Sequence, residues 1–166
     1  MKQKRGQMKL SFGMIFSIIL IVLFLAVAFF AISKFFDIQN SITIGKFADE
    51  FQNDIDKIWK SQQGSQPKEY SLPKGVISVC FVDYATQSKG ERTHIYEGLR
   101  QAYFENENMI FYPVGSGQGL DAKEIKHINL EEITESENPF CVNVLNGKID
   151  FILKKEFGET LVTITR

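Results

Sequence analysis

The chain has 166 residues, 15 of them Phe, and its 44% hydrophobic and 13% aromatic content is too high for a disordered segment. Its formal net charge of −1 hides an asymmetry: residues 1–34 carry Lys2, Lys4, Arg5, Lys9 and Lys34 and no acidic side chain, while all 20 acidic residues lie beyond. The rest of the chain is therefore mildly acidic, which argues against a nucleic-acid-binding surface.

Residues 1–11 form a short basic leader. Residues 12–33 follow as an apolar run whose stretch Phe12 to Ile32 has no charge and only Ser17 as a polar side chain. At about 1.5 Å per helical residue this run spans roughly 30 Å, the thickness of a bilayer's hydrocarbon core. The expectation is one transmembrane helix, with membrane lipid as its first partner. The basic residues ahead of it place the N-terminus in the cytoplasm and the remainder outside the cell membrane. Ala26-Val27-Ala28 also matches a small-x-small signal-peptidase site. The apolar run continues past it through Phe29, Phe30 and Ile32, which fits a span better than a cleaved signal.

Arg5-Gly6-Gln7, behind a basic leader and ahead of a long apolar helix, resembles the class III signal peptide of archaeal type IV pilin-like proteins. The resemblance covers about 30 residues. It implies cleavage between Gly6 and Gln7 by a prepilin-type peptidase, with copies of the chain itself as further partners. Ser11 stands where such subunits often carry an assembly Glu, and Lys9 is an unusual charge so close to the span. The N-terminal stretch also resembles archaeal single-pass membrane proteins with no assigned activity.

No proline occurs before Pro67, so nothing forces the helix to stop at the membrane. Over residues 34–61, Ile44, Phe47, Phe51, Ile55 and Ile58 recur at spacings of three and four, an amphipathic helical stripe. The β-branched and glycine-containing run Asn40 to Gly45 is its weak point, where a kink or break is expected. The stripe either packs on the protein's own sheet or forms an interface through Phe47, Phe51, Ile55 and Trp59; Trp59 is also read as an anchor of helix to sheet.

Residues 62–74 read as a polar linker and residues 75–166 as an antiparallel, β-rich outer domain. Gly75–Tyr84 is apolar throughout, as in a strand buried on both faces. Arg92–Glu105 has a helical spacing, Met109–Val114 reads as a strand ended by Pro113, and Ile125–Ile133 as another strand. Phe140–Leu145 and Lys148–Lys154 flank Asn146-Gly147, the strongest short hairpin signal, and with Thr160–Thr165 predict a three-stranded meander. Cys80 and Cys141 are expected to pair, closing a loop of about 60 residues; the alternative is two buried thiols. The fold class is α+β: a long N-terminal helix and an antiparallel sheet.

No pattern of catalysis emerges. Gly115–Gly119 lacks the Lys-Ser/Thr of a phosphate loop and the spacing of a nucleophile elbow. His94 and His127 lie in no metal-ligand pattern and read as surface residues, and Glu131, Glu132, Glu135 and Glu137 as a solvated acidic loop. The reading is of a non-enzymatic, single-pass structural protein without cofactor or metal. Its alternative is an uncleaved, membrane-anchored interaction module of an envelope or secretion complex.

Overall fold

The computed structural model describes residues 12–103 and 106–166. The fold is α+β, with one long apolar helix and two antiparallel sheets. The processing pair Gly6 and Gln7 lies outside the described residues, as do Phe104 and Glu105 at the end of the helical spacing read over Arg92–Glu105.

Helix α1 runs from Phe12 to Trp59 as 48 residues, without a break at Asn40–Gly45. The expected weak point is helical because tertiary contacts outweigh the local propensity cost. Ile44 within it is fully buried, and Ser41 Oγ donates to Gln118 O at 3.3 Å. The chain divides into two compact units, one ending at Ile38 and one covering Gln39–Arg166.

In the first unit every large apolar side chain from Phe12 to Ile38 is exposed. Among the described residues of this unit, the two serines return their hydroxyls to the helix itself, Ser17 Oγ to Gly13 O at 2.8 Å and Ser33 Oγ to Phe29 O at 3.1 Å. Such back-bonding leaves no polar side chain asking for water along the apolar run.

The second unit is built around the other half of α1. Ile44, Phe47, Ala48, Phe51, Ile55 and Ile58 are buried. Their spacing keeps them on one face. One sheet has the order β1 (Gly64–Ser71), β6 (Lys148–Lys155), β7 (Thr163–Thr165). The other has the order β4 (Ala122–Lys123), β3 (Met109–Tyr112), β2 (Ser78–Phe81), β5 (Phe140–Asn143). All pairings are antiparallel.

The alternation of each strand decides which core it serves. In β6, Ile149, Phe151 and Leu153 are buried, with Lys148, Asp150 and Lys154 outward. In β2 all four residues are buried, because both faces are covered. Val79 and Phe81 join the α1 stripe, while Cys80 joins Tyr96 and Leu99 of helix α2 (Thr93–Ala102). Met109 and Phe111 of β3 face α1, and Ile110 faces α2. The expectation of a central strand buried on both faces at Gly75–Tyr84 is met over Ser78–Phe81.

Three expectations are corrected. The linker read over residues 62–74 is largely strand: Gly64–Ser71 pairs along its whole length with β6. Its polarity is that of an edge strand, where only Tyr70 is buried and Pro67 lacks the N–H an inner strand would need. The meander expected from residue 140 onward is split. Asn146 and Gly147 do turn with φ of 54° and 76°, and Leu145 and Lys148 exchange backbone bonds of 2.8 and 3.0 Å. Beyond that turn, however, β5 pairs with β2 and β6 pairs with β1 and β7. The turn reverses the chain without fixing which sheet each arm enters. Finally, the strand read over Ile125–Ile133 reduces to a single bridge, Ile128 to Val162, followed by a short helix, α3 (Leu130–Ile133). Asn129 caps α3 by accepting from Glu132 N at 3.3 Å, and Asn129 Nδ2 returns a bond to Glu132 Oε2 at 2.8 Å. The Asn129 backbone N–H is taken by Val162 O at 2.8 Å, so the side-chain cap is made without the reciprocal backbone bond of a capping box.

Two basic side chains close the unit. Lys155, almost fully buried, sends its Nζ to Trp59 O at 2.6 Å and Ser61 O at 2.9 Å. It satisfies carbonyls that the end of α1 leaves open and sits at the negative end of the helix dipole. Arg166 donates to Glu137 Oε2 at 2.7 Å and Cys141 O at 3.1 Å, with its guanidinium 4.8 Å from the Phe140 ring centre. It fastens the end of β7 to the outer edge of β5.

Candidate functional site

The most extended surface feature is the apolar run of α1. It is long and apolar enough to cross a membrane, and none of its most hydrophobic window is buried. Side chains such as Phe24, Phe29 and Phe30 are each about two-thirds exposed. A soluble surface does not leave so large a contiguous apolar area uncovered.

The candidate interface residues fare differently. Phe47, Phe51 and Ile55 are consumed by the core, at 2%, 0% and 0% exposure. They offer no free surface, and the stripe packs on the protein's own sheets. Trp59 is half-buried at the end of α1. Its Nε1 donates to Thr160 O at 3.0 Å, and its ring stacks on His127 with centroids 3.7 Å apart and planes 5° from parallel. Trp59 thus ties the end of α1 to two connecting segments, at residues 127 and 160, rather than to a sheet strand as expected.

His94 is exposed, as expected. His127 is not the plain surface residue expected from sequence. Its backbone lies in the left-handed region, φ 65°, and its Nδ1 is 3.0 Å from Asp56 Oδ1. Asp56 Oδ1 also accepts from Gln52 Nε2 at 2.8 Å, while Gln52 Oε1 accepts from Lys126 N at 2.9 Å. The signal for this cluster was present on α1: Gln52, Asp56 and Trp59 lie one turn apart along a single face. Its partner, 68 positions further on, could not be read from spacing. The His127 hydrogen bond, ahead of a small opposing effect of burial, holds the Asp56 carboxyl below its ordinary value.

A second polar cluster lies at the β1 edge. Asp54, nearly buried, receives Lys57 Nζ at 2.8 Å, Lys68 Nζ at 3.1 Å and the Tyr70 hydroxyl at 3.1 Å. Burial pushes its carboxyl up, but the bonds from Lys57, Lys68 and Tyr70 outweigh that, and it is held below the ordinary 3.8. Burial and the neighbouring Asp54 charge push the Tyr70 hydroxyl upward. A depressed carboxylate adds stability that is complete above its unfolded value and is lost as pH falls through its folded value. The urea midpoint of the Gln39–Arg166 unit is therefore expected to fall below about pH 4. Asp54→Asn should flatten part of that acid limb, leaving the share of Asp56; equal slopes for both proteins would show that Asp54 carries none of it.

Cys80 and Cys141 stand directly opposite one another in β2 and β5 and form a disulfide. The Gly115–Gly119 segment is a closed turn: Gly117 N donates to Asp121 Oδ1 at 2.7 Å, and a Cβ on Gly117 would lie 2.5 Å from Asp121 Cα. Among the acidic cluster, Glu132 accepts from Thr163 Oγ1 at 2.7 Å and Glu137 pairs with Arg166, while Glu131 and Glu135 are exposed. Among the described residues no group of three or more His, Cys, Asp and Glu side chains is arranged to hold a metal. A polar groove of about 460 Å³ lies between α2 and residues 84–88, lined by Tyr84, Thr86, Gln87, Tyr96, Glu97 and Arg100. Buried Asn138 holds the 83–86 segment beside it, its Nδ2 bonding Asp83 O at 2.7 Å and Thr86 Oγ1 at 3.0 Å.

No family model, curated protein or solved structure matches this chain.

Proposed function

We propose that the chain is a single-pass, membrane-anchored structural protein, non-enzymatic, resembling a type IV pilin-like subunit. One observation carries this reading: a single helix is apolar and uncovered in its first half and forms the spine of an α+β unit in its second. That is the plan of a pilin subunit, an apolar helix for the membrane or a filament core with an outer unit as the exposed surface. Lys2, Lys4, Arg5 and Lys9 orient the anchor with the leader in the cytoplasm. The Cys80–Cys141 bond suits the oxidising side of the membrane.

In this reading a prepilin-type peptidase cuts between Gly6 and Gln7, and the freed apolar helix packs against copies of itself. Mass spectrometry of the protein from its native membrane tests this directly. A first residue of Gln7, lost in Gly6→Leu, is the expected result. An intact leader would overturn the subunit reading and leave the uncleaved interaction module.

A further inference from the structure

The join between the end of α1 and the two segments it touches is made by the side chains of Asp56, Trp59 and His127. Trp59 and His127 lie face to face, and Asp56 Oδ1 is 3.0 Å from His127 Nδ1. His127 O accepts from Val162 N at 2.9 Å, and Trp59 Nε1 reaches Thr160 O. His127 thus meets the last turns of α1 through its ring and, through its backbone carbonyl, the approach to β7, which Trp59 reaches as well. We infer that the Asp56–His127–Trp59 stack is a proton-responsive latch, tightened when the imidazole is protonated and loosened when it is neutral.

Two interactions strengthen together on protonation. The neutral ring offers Asp56 an ordinary hydrogen bond, whereas the imidazolium offers a charge-assisted one. The electron-rich indole face that stacks on a neutral ring attracts a cationic one more strongly. About a third of the imidazole is exposed, so the proton has a route from solvent. The positive φ of His127 is a sparsely populated conformation, held by these same contacts. Weakening them frees the segment to relax.

The surrounding charges leave Asp56 as the counter-ion. Lys60, just past the end of α1, and Lys126, beside His127, are cationic. Glu132 on α3 is engaged by Asn129 Nδ2 and Thr163 Oγ1, and Glu159, in the turn before β7, accepts from Glu156 N. The latch belongs to the Gln39–Arg166 unit and does not depend on the membrane reading.

Trp59 is the only tryptophan in the chain, so its emission reports this stack alone. In the full chain in detergent micelles, contact with an imidazolium should quench it. The expected result is a reversible loss of emission from about pH 8 to about pH 5, the range in which imidazoles exchange their proton. His127→Gln should abolish the transition, and Asp56→Asn should reduce its amplitude. Amide exchange at residues 126–129 and 160–162, corrected for intrinsic rates, should be slower at the acidic end. Flat emission in the wild type, the same titration in His127→Gln, or protection unchanged with pH would overturn the latch. If His127→Gln fails to fold, wild-type exchange decides: protection that rises on acidification supports the latch and unchanged protection removes it.

Discussion

Replacing Phe51 by alanine is expected to destabilise the Gln39–Arg166 unit by about 3–5 kcal/mol, the usual cost of emptying a buried phenylalanine site. Phe51 has no exposed surface, and its ring meets Phe151 at 5.1 Å, Phe47 and Tyr70 at 5.6 Å and Phe81 at 5.9 Å between centroids. Those partners come from α1 itself, β1, β2 and β6, so one truncation opens a cavity where both sheets meet the helix. The surrounding aromatic rings cannot collapse into the space without leaving their own neighbours. A domain of this size has about 5–15 kcal/mol in total, so the variant should be near the edge of folding. Phe157→Ala is the matched control: Phe157 is 77% exposed. A surface truncation of that kind should change stability by less than about 0.5 kcal/mol. Urea unfolding of the two variants measures both; a Phe51→Ala cost under about 1 kcal/mol would mean that the helix stripe is not the centre of the core.

Removing the disulfide should have an effect of similar size. Cys80 and Cys141 are 61 positions apart, and closing a loop of that length restricts the unfolded chain by about 4 kcal/mol. In the folded state the bond joins β2 to the edge strand β5 across a four-residue ladder. Cys80→Ala with Cys141→Ala is therefore expected to lower stability by about 2–5 kcal/mol. Both sulfurs belong to buried residues, so a reductant should act slowly on the native protein and quickly in denaturant. An unchanged urea midpoint in the double variant would show that the β2–β5 pairing stands without the bond.

What could be read from the sequence was what is local. The stripe from Ile44 to Ile58 repeats with the helical period, and a helix that buries one face must show it. The β2 run is largely apolar because both its faces are covered, and Asn146-Gly147 turns because both residues accept positive φ. The two cysteines had one possible partner each. Sheet membership was not legible, since β5 finds its neighbour in β2, about 60 residues earlier, and no turn residue encodes that choice. The β1 edge looked like a linker because a strand with one neighbour and one solvent face needs little apolar content. The helix α3 was hidden behind Ile125, Ile128 and Ile133, although Asn129 and Glu132 carry its capping signal. His127 gave no sign at all, because its stacking partner and its carboxylate both sit on α1, far back in the chain.

The measurement that bears most directly on the anchor is fractionation of the full chain from its native membranes, followed by protease treatment from the outer face. The account predicts that the protein stays in the membrane pellet through alkaline carbonate, leaves it only with detergent, and loses the Gln39–Arg166 unit to protease added outside intact cells. Release by carbonate, or an outer unit protected until the membrane is opened, would contradict it.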